Sequence, residues 1–252
     1  MKAMIFAAGL GTRLRPLTDT CPKALIEIGG QPMLWHVLMR LKTAGITEVV
    51  INVHHHAHMI IQYLVDNDNF GMQIHISDES SQLLDTGGGI LKAREWLDAG
   101  EPFLVHNADI FTDMELDGLI KAHTVSSADV TLDVSPRQSS RMLYFNHHSL
   151  QLCGWKNLTN GATRPSAFIP DENMHVARAF SGIHIASPLI FESLARFTDS
   201  PSFSIIPYYL SVCSSLNIHG YEPTAPYEWF DIGKPDTLEA ARNSNLAKIS
   251  YR

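Results

Sequence analysis

Apolar residues fall along the chain in runs of two alternating kinds. Ala3–Ala8 (AMIFAA) is short and unbroken, the pattern of a strand buried on both faces. Pro32–Ala44 places Met33, Leu34, Val37, Leu38 and Leu41 at helical spacing. Glu48–Val53 (EVVINV) is β-branched and strand-like, Ala57–Val65 carries the helical stripe Ile60, Ile61, Leu64 and Val65, and Met72–Ile76 alternates as a strand. Gly89–Leu97 predicts another helix, and Pro102–His106 leads into another strand. Strand, helix, strand, helix, strand predicts an α/β fold with a largely parallel sheet, and right-handed crossovers then place helices on both faces.

The second half is less regular. Ala128–Val134 (ADVTLDV) alternates as a strand, and Met142–Phe145 with Leu150–Trp155 predicts a hairpin around Asn146–Ser149. Phe180–Ala186 reads as a strand, Pro188–Phe197 and Ile205–Ser214 as helices, and Glu228–Ile232 as a last short strand. Pro235–Leu246 predicts a closing helix with Pro235 in its first turn. Asn157–Asn173, rich in Gly, Pro and Asn, reads as a long loop, a class of segment that is often functional. With no repeat, low-complexity tract or linker, the expectation is one domain over residues 1–252.

A length of 252 residues suits one α/β domain. Hydrophobic residues at 45% can fill a core, which excludes disorder. The balance of 19 basic against 26 acidic residues, a net charge of −7, argues against nucleic acid as a partner but leaves room for a positive pocket that takes one nucleotide. Cys21, Cys153 and Cys213 form no CxxC, and their odd number predicts reduced thiols and a cytoplasmic location. The Ala3–Ala8 run is too short for a membrane span or a signal peptide, so no membrane partner is expected.

The segment after the first strand carries most of the chemistry: Ala7-Ala8-Gly9-Leu10-Gly11-Thr12-Arg13-Leu14-Arg15-Pro16-Leu17-Thr18. Glycines let a backbone approach a phosphate closely, successive free N–H groups can form an anion nest, and Arg13, Arg15 and Lys23 supply positive charge. Three phosphate-loop readings compete with a plain turn. A dinucleotide loop wants GxGxxG and an acidic residue at the end of the second strand; the third glycine position holds Leu14 and the strand ends in Val53-His54. A P-loop wants GxxxxGK followed by Ser or Thr, which is absent. The remaining reading is a nucleotidyltransferase loop, in which glycines cradle a nucleotide and Arg and Lys neutralise its triphosphate.

AAGLGTRLRPLT followed by CPKALIEIGGQPML resembles the signature of the sugar-1-phosphate nucleotidyltransferases. Leu84-Asp85-Thr86-Gly87-Gly88-Gly89-Ile90 is similar to that family's glycine turn under base and sugar, and Asn107-Ala108-Asp109 to the segment of its metal aspartate. Phe180-Ser181-Gly182-Ile183 resembles its sugar-side strand, and Trp229-Phe230-Asp231-Ile232-Gly233 the segment of its second metal aspartate. The matches run in the family's order from residue 2 to about residue 242. TGGGI, FSGI and the short length resemble most the bacterial N-acetylmuramate-1-phosphate uridylyltransferases of cell-wall recycling, with mannose- and heptose-1-phosphate guanylyltransferases as close neighbours. Two departures concern the sugar: Ala24 follows Lys23 where proline is usual, and Asn157–Asn173 is extended.

The resemblance implies a three-layer α/β/α Rossmann-like domain on a mixed, mostly parallel sheet, without the C-terminal β-helix of some relatives. It implies a Mg²⁺-dependent reaction of a nucleoside triphosphate with a sugar-1-phosphate, giving an NDP-sugar and pyrophosphate. The implied substrates are UTP and N-acetylmuramate 1-phosphate, with guanylyl transfer to a mannose- or heptose-type sugar as the alternative. A non-catalytic nucleotide-sensing subunit is the alternative of another class. Asp109 and Asp231 would hold the metal, and Arg13, Lys23 and Asp109 would carry catalysis. Ala8, Gly9, Gly11, Thr12, Arg13, Lys23, Gly87 and Gly88 would bind nucleotide, and Asn107 and Gly182 the sugar phosphate. A homo-oligomer is compatible with all of this. His54-His55-His56-Ala57-His58 looks metal-like, but without Cys nearby at a strand-to-helix junction it reads as solvated or capping histidines.

Overall fold

The computed structural model describes residues 1–248, so the last four residues of the expected 1–252 unit lie outside it. The chain opens with β1 (Lys2–Phe6), a small hairpin of β2 (Glu27–Ile28) and β3 (Gln31–Pro32), α1 (Met33–Thr43), β4 (Glu48–Val53), α2 (Ala57–Asp66) and β5 (Gln73–Asp78). It continues through α3 (Asp85–Lys92), α4 (Arg94–Leu97), β6 (Phe103–Asn107), β7 (Ile110–Thr112), α5 (Leu116–Ser126) and β8 (Val130–Ser135). Then come β9 (Arg141–Asn146), β10 (Leu152–Asn157), β11 (Thr163–Arg164) and the long β12 (His175–Ala186). The chain closes with α6 (Ile190–Leu194), α7 (Ile205–Val212), β13 (Ile218–Tyr221), β14 (Trp229–Asp231) and α8 (Pro235–Asn243).

The main sheet runs β11-β10-β9-β12-β6-β1-β4-β5, with β8 and then β13 branching from β12. The β6-β1-β4-β5 portion is parallel, with Ile5 opposite both Ile51 and His106. β12 joins the two halves of the sheet. Its last residues pair antiparallel with β6, and its first residues, His175–Arg178, pair with β9 of the hairpin.

Alternation along the parallel strands sorts the core into two layers. Ala3, Ile5, Val49, Ile51, Val53 and Leu104 face one cluster, with Leu34, Val37 and Leu38 of α1, Ile60 and Leu64 of α2, and Leu116 and Leu119 of α5. Met4, Val50, Phe103 and Val105 face the other, with Ile90 of α3, Phe191 of α6 and Tyr208 of α7. Burial on both faces is why these strands read as unbroken apolar runs. The layers are therefore α/β/α, as expected.

Several boundaries move. The helix expected over Gly89–Leu97 begins at Asp85 and breaks at Ala93 into α3 and α4. The helix expected over Pro188–Phe197 is five residues long. The loop at Asn157–Asn173 contains β11, which pairs Arg164 with Trp155 and Thr163 with Lys156. α5, β7 and β13 are additions to the expected elements.

Candidate active site

β1 ends at Phe6 and the chain turns at once into the glycine loop. The turn is held by Asn52 on β4, whose Oδ1 accepts from the N–H groups of Ala7 at 2.8 Å and Ala8 at 3.3 Å. Asn52 Nδ2 donates to Glu79 Oε1 at 2.8 Å, and Glu79 Oε2 accepts from the Leu84 N–H at 3.0 Å. The N–H of Ala8, one of the expected nucleotide contacts, is thus engaged with Asn52. Gly9 is exposed with open space around it. Gly11 has φ of +63°, and a Cβ there would lie 2.7 Å from Thr18 Cγ2, so only glycine fits. Its carbonyl accepts from Thr18 Oγ1 and the Leu14 N–H, folding the loop so that Thr12 and Arg13 are exposed on a single helical turn.

Asp109 follows β6, and Asp231 ends β14. β14 pairs antiparallel with β7, placing Asp231 opposite Ile110, and the Ile232 N–H donates to the Asp109 carbonyl at 3.0 Å. This two-stranded ladder makes the two aspartates neighbours. Lys23 lies between them, its Nζ 2.5 Å from Asp109 Oδ2 and 3.9 Å from Asp231 Oδ1. Asp231 Oδ1 also accepts from the Gly233 N–H at 2.8 Å. A Cβ on Gly233 would lie 2.5 Å from Arg13 Nη2, 2.8 Å from Asp231 Oδ1 and 3.1 Å from Lys23 Nζ. Arg13, Lys23 and Asp231, drawn from distant parts of the chain, therefore gather around a glycine that leaves them room, and Asp109 joins them through Lys23.

An ammonium lodged between two carboxylates marks a position where positive charge is stabilised. Two aspartate oxygens are the donor chemistry of a hard divalent cation such as Mg²⁺. Among the described residues no group of three His, Cys, Asp or Glu side chains comes together as a metal cage. A cation here would draw its remaining ligands from phosphate oxygens and water, the manner in which Mg²⁺ accompanies nucleotides.

The charged cluster opens into a cavity of about 540 Å³. Asn107 and Gly182 meet in its wall: Gly182 has φ of +83°, and a Cβ there would lie 3.0 Å from Asn107 Nδ2 and 2.8 Å from Ile110 Cγ1. Trp229 forms another wall, its indole N–H donating to the Ser181 carbonyl at 2.9 Å. Arg137, which sequence reasoning passed over, lies 3.8 Å above the Trp229 ring and donates to the Phe180 carbonyl. Burial lowers its guanidinium pKa, with Tyr227, Asp133 and Asp231 acting the other way. In the sequence its one signal was a position just past the end of a strand, where α/β sites gather.

The glycines at 87–89 need a correction. The resemblance makes them a glycine turn under base and sugar, but α3 begins at Asp85 and encloses them. The N–H groups of Gly87 and Gly88 donate to the Phe203 carbonyl at 2.8 and 3.2 Å. A side chain on Gly87 would enter the Phe203 ring, and one on Gly88 would meet the Pro201 carbonyl. These glycines let α3 touch the 201–203 segment. In the histidine run, His56 takes a left-handed φ of 55° just before α2, and its ring lies 3.2 Å from the Asp19 carbonyl.

A profile of the family described as "Nucleotidyl transferase" matches residues 2–144. The N-acetylmuramate alpha-1-phosphate uridylyltransferase of Neisseria meningitidis serogroup B is 49% identical over 249 residues, spanning 96% of this chain and 97% of that protein. "Probable mannose-1-phosphate guanylyltransferase 2" of Oryza sativa subsp. japonica is 38% identical across 93% of this chain, which spans 62% of the rice protein. A crystal structure from Bacillus anthracis, solved in complex with a sucrose, superposes with a TM-score of 0.82 over 99% of this chain and 96% of its own, and at 17% identity it supports the fold alone. The loop at Gly9–Thr12, the two aspartates that the β7–β14 ladder brings together, and a profile match covering more than half the chain agree: the chain belongs to the nucleotidyl transferase family.

Proposed function

We propose that this protein transfers a uridylyl group from UTP to N-acetylmuramate 1-phosphate, releasing pyrophosphate, with Mg²⁺ as its metal. A phosphate oxygen of the sugar phosphate attacks the α-phosphorus of the nucleotide, and the bond to the β-phosphate breaks. The nucleophile is already anionic, so the barrier lies in aligning two polyanions and stabilising charge on the departing pyrophosphate. The observation that carries the reading is the convergence of Arg13, Lys23, Asp109 and Asp231 at Gly233, beside a cavity large enough for a sugar phosphate.

Arg13 presents a planar fork to the nucleotide's phosphates, and Lys23 adds a compact charge beside them. Gly9, Gly11 and Thr12 shape the loop around the triphosphate, with Ala8 at its base, and Gly87 and Gly88 lie at the base side. Asn107 and Gly182 contact the sugar phosphate. Asp109 and Asp231 would hold the metal, which would neutralise phosphate charge. Lys23, held by the two carboxylates, would donate to phosphate oxygens of a bound nucleotide. A cytoplasmic place in cell-wall recycling accompanies this reading. It agrees with the lack, among the described residues, of a helix long and apolar enough to cross a membrane.

The choice of uracil and muramate rests on the 49% identical Neisseria relative. The 38% identical rice protein supports a second reading, guanylyl transfer to a mannose-type sugar. Pyrophosphate release from UTP, GTP, CTP, ATP and dTTP against N-acetylmuramate, N-acetylglucosamine, glucose, mannose and heptose 1-phosphates, with Mg²⁺ and with EDTA, tests both. Metal-dependent release with UTP and N-acetylmuramate 1-phosphate is expected. Release confined to GTP and mannose or heptose 1-phosphate would replace the first reading with the second. Nucleotide binding without release in any combination would indicate a sensing subunit.

A further inference from the structure

Three guanidiniums, those of Arg137, Arg141 and Arg164, line the cavity along with the carboxylates of Asp109 and Asp231. β9, β10 and β11 form one of its walls. The pairings place Leu143 opposite Trp155, Trp155 opposite Arg164, and Arg141 opposite Asn157, so all five side chains share one face of the small sheet. All five line the cavity that also contains Asp109 and Asp231. The opposite face is covered: Phe168 packs on Tyr144, and a Cβ on Gly154 would lie 2.5 Å from the Phe168 ring. The alternation of the hairpin thus commits Arg141 and Arg164 to the cavity side.

Neither arginine is neutralised. Among the described residues the arginine ion pairs involve Arg15, Arg94, Arg178 and Arg196. Arg164 is steadied by the Trp155 ring, its guanidinium carbon 5.9 Å from the ring centre. Arg137, the third guanidinium in the cavity, is occupied by the Phe180 carbonyl and Trp229. The two acidic groups in the cavity wall, Asp109 and Asp231, both lie against Lys23. Both guanidiniums are exposed on a wall separate from the aspartates, where they are open to an anion other than the phosphate being transferred, and planar forks suit a carboxylate.

We infer that Arg141 and Arg164 recognise a carboxylate carried on the sugar, which makes them specificity residues for an acidic sugar phosphate. This rests on the reading above, since the lactyl ether of N-acetylmuramate supplies such a carboxylate and N-acetylglucosamine lacks it. Discrimination then comes from two charge-assisted hydrogen bonds that the neutral sugar leaves unmade.

The test compares kcat/KM for N-acetylmuramate 1-phosphate and N-acetylglucosamine 1-phosphate in the wild type, Arg141→Gln, Arg164→Gln and the double variant. The preference for the muramate should fall about 10- to 100-fold in the double variant. A ratio that stays at its wild-type value overturns the inference, as does a wild type with no preference. A second arm titrates unphosphorylated N-acetylmuramate and N-acetylglucosamine into the same proteins by NMR. Weaker binding of the acid alone in the double variant supports the inference, and equal binding overturns it. If the wild type turns over neither sugar, the proposed reaction fails, while the titration still decides whether the arginines hold a carboxylate.

Discussion

Asn52 and Glu79 share a hydrogen bond of 2.8 Å, and the other side-chain bonds of the pair go to the backbone N–H groups of Ala7, Ala8 and Leu84. Both side chains are buried. One amide on β4 and one carboxylate just past the end of the neighbouring parallel strand β5 thus fix the start of the glycine loop and the turn that enters α3. Neither residue touches the charged cluster, so their contribution is to position two segments relative to each other.

Asn52→Leu leaves the two loop N–H groups and one Glu79 oxygen without partners. The expected cost is roughly 3 kcal/mol of stability, read from urea unfolding. Weaker nucleotide binding should accompany it. A loss under about 0.5 kcal/mol would mean that the loop holds its place without this pair.

Lys23→Ala removes the cation between the aspartates. We expect kcat to fall by about 100-fold or more. The melting temperature should stay close to that of the wild type, because the side chain lies in the site and outside the core clusters. Turnover close to wild type would remove Lys23 from the mechanism.

Gly233→Ala tests the crowding directly. Its φ is unremarkable, so the backbone tolerates alanine, but the new methyl meets Arg13, Asp231 and Lys23 at 2.5 to 3.1 Å. Displacement of these groups by less than an ångström should lower kcat about 10- to 100-fold with little change in melting temperature. Equal activity would show that the cluster gathers elsewhere during turnover.

Two buried groups give stability opposite slopes with pH. Burial pushes His184 down to about 3. Below about 6.5 the unfolded chain therefore takes up a proton that the folded chain refuses, and this part of the stability is lost as pH falls from 6.5 toward 3. Asp133 is pushed up to about 7, chiefly by burial, with Ser181 and Arg137 opposing. Its contribution is present below about pH 4 and lost as pH rises to 7. His184→Leu should flatten the acid limb of urea stability between pH 6 and 4. Asp133→Asn should gain on the wild type by about 4 kcal/mol more at pH 8 than at pH 4. Parallel curves for wild type and both variants would contradict these assignments.

The parallel strands were legible because both their faces are buried: EVVINV was bounded to the residue, and α1 nearly so. α5 escaped because its stripe holds Leu116, Leu119 and Ile120 among polar residues, with a buried His123 completing it. β13 (IHGY) is short and broken by glycine. The three glycines suggested a turn because glycine costs about 1 kcal/mol against alanine inside a helix, a cost that packing against Phe203 overrides. The residues of the cluster were named from motif segments. That Asp109 and Asp231 meet depends on the β7–β14 register, which no spacing along the chain reveals. Arg141 and Arg164 were invisible as a pair until the short strand β11 placed Arg164 opposite Trp155, on the face that Arg141 shares.

The β7–β14 ladder also makes activity depend on the last part of the chain. Every strand of the main sheet is complete in the chain by Tyr221, whereas Asp231 and Gly233 come later. The residues that follow, Leu238, Ala241 and Leu246, close the apolar cluster beneath Leu14 and Ile26 on the glycine-loop side. A chain released after residue 225 carries every strand of the main sheet yet lacks half of its carboxylate pair, so it stays silent. Clipping within the same stretch would switch off a mature molecule while leaving its sheet in place.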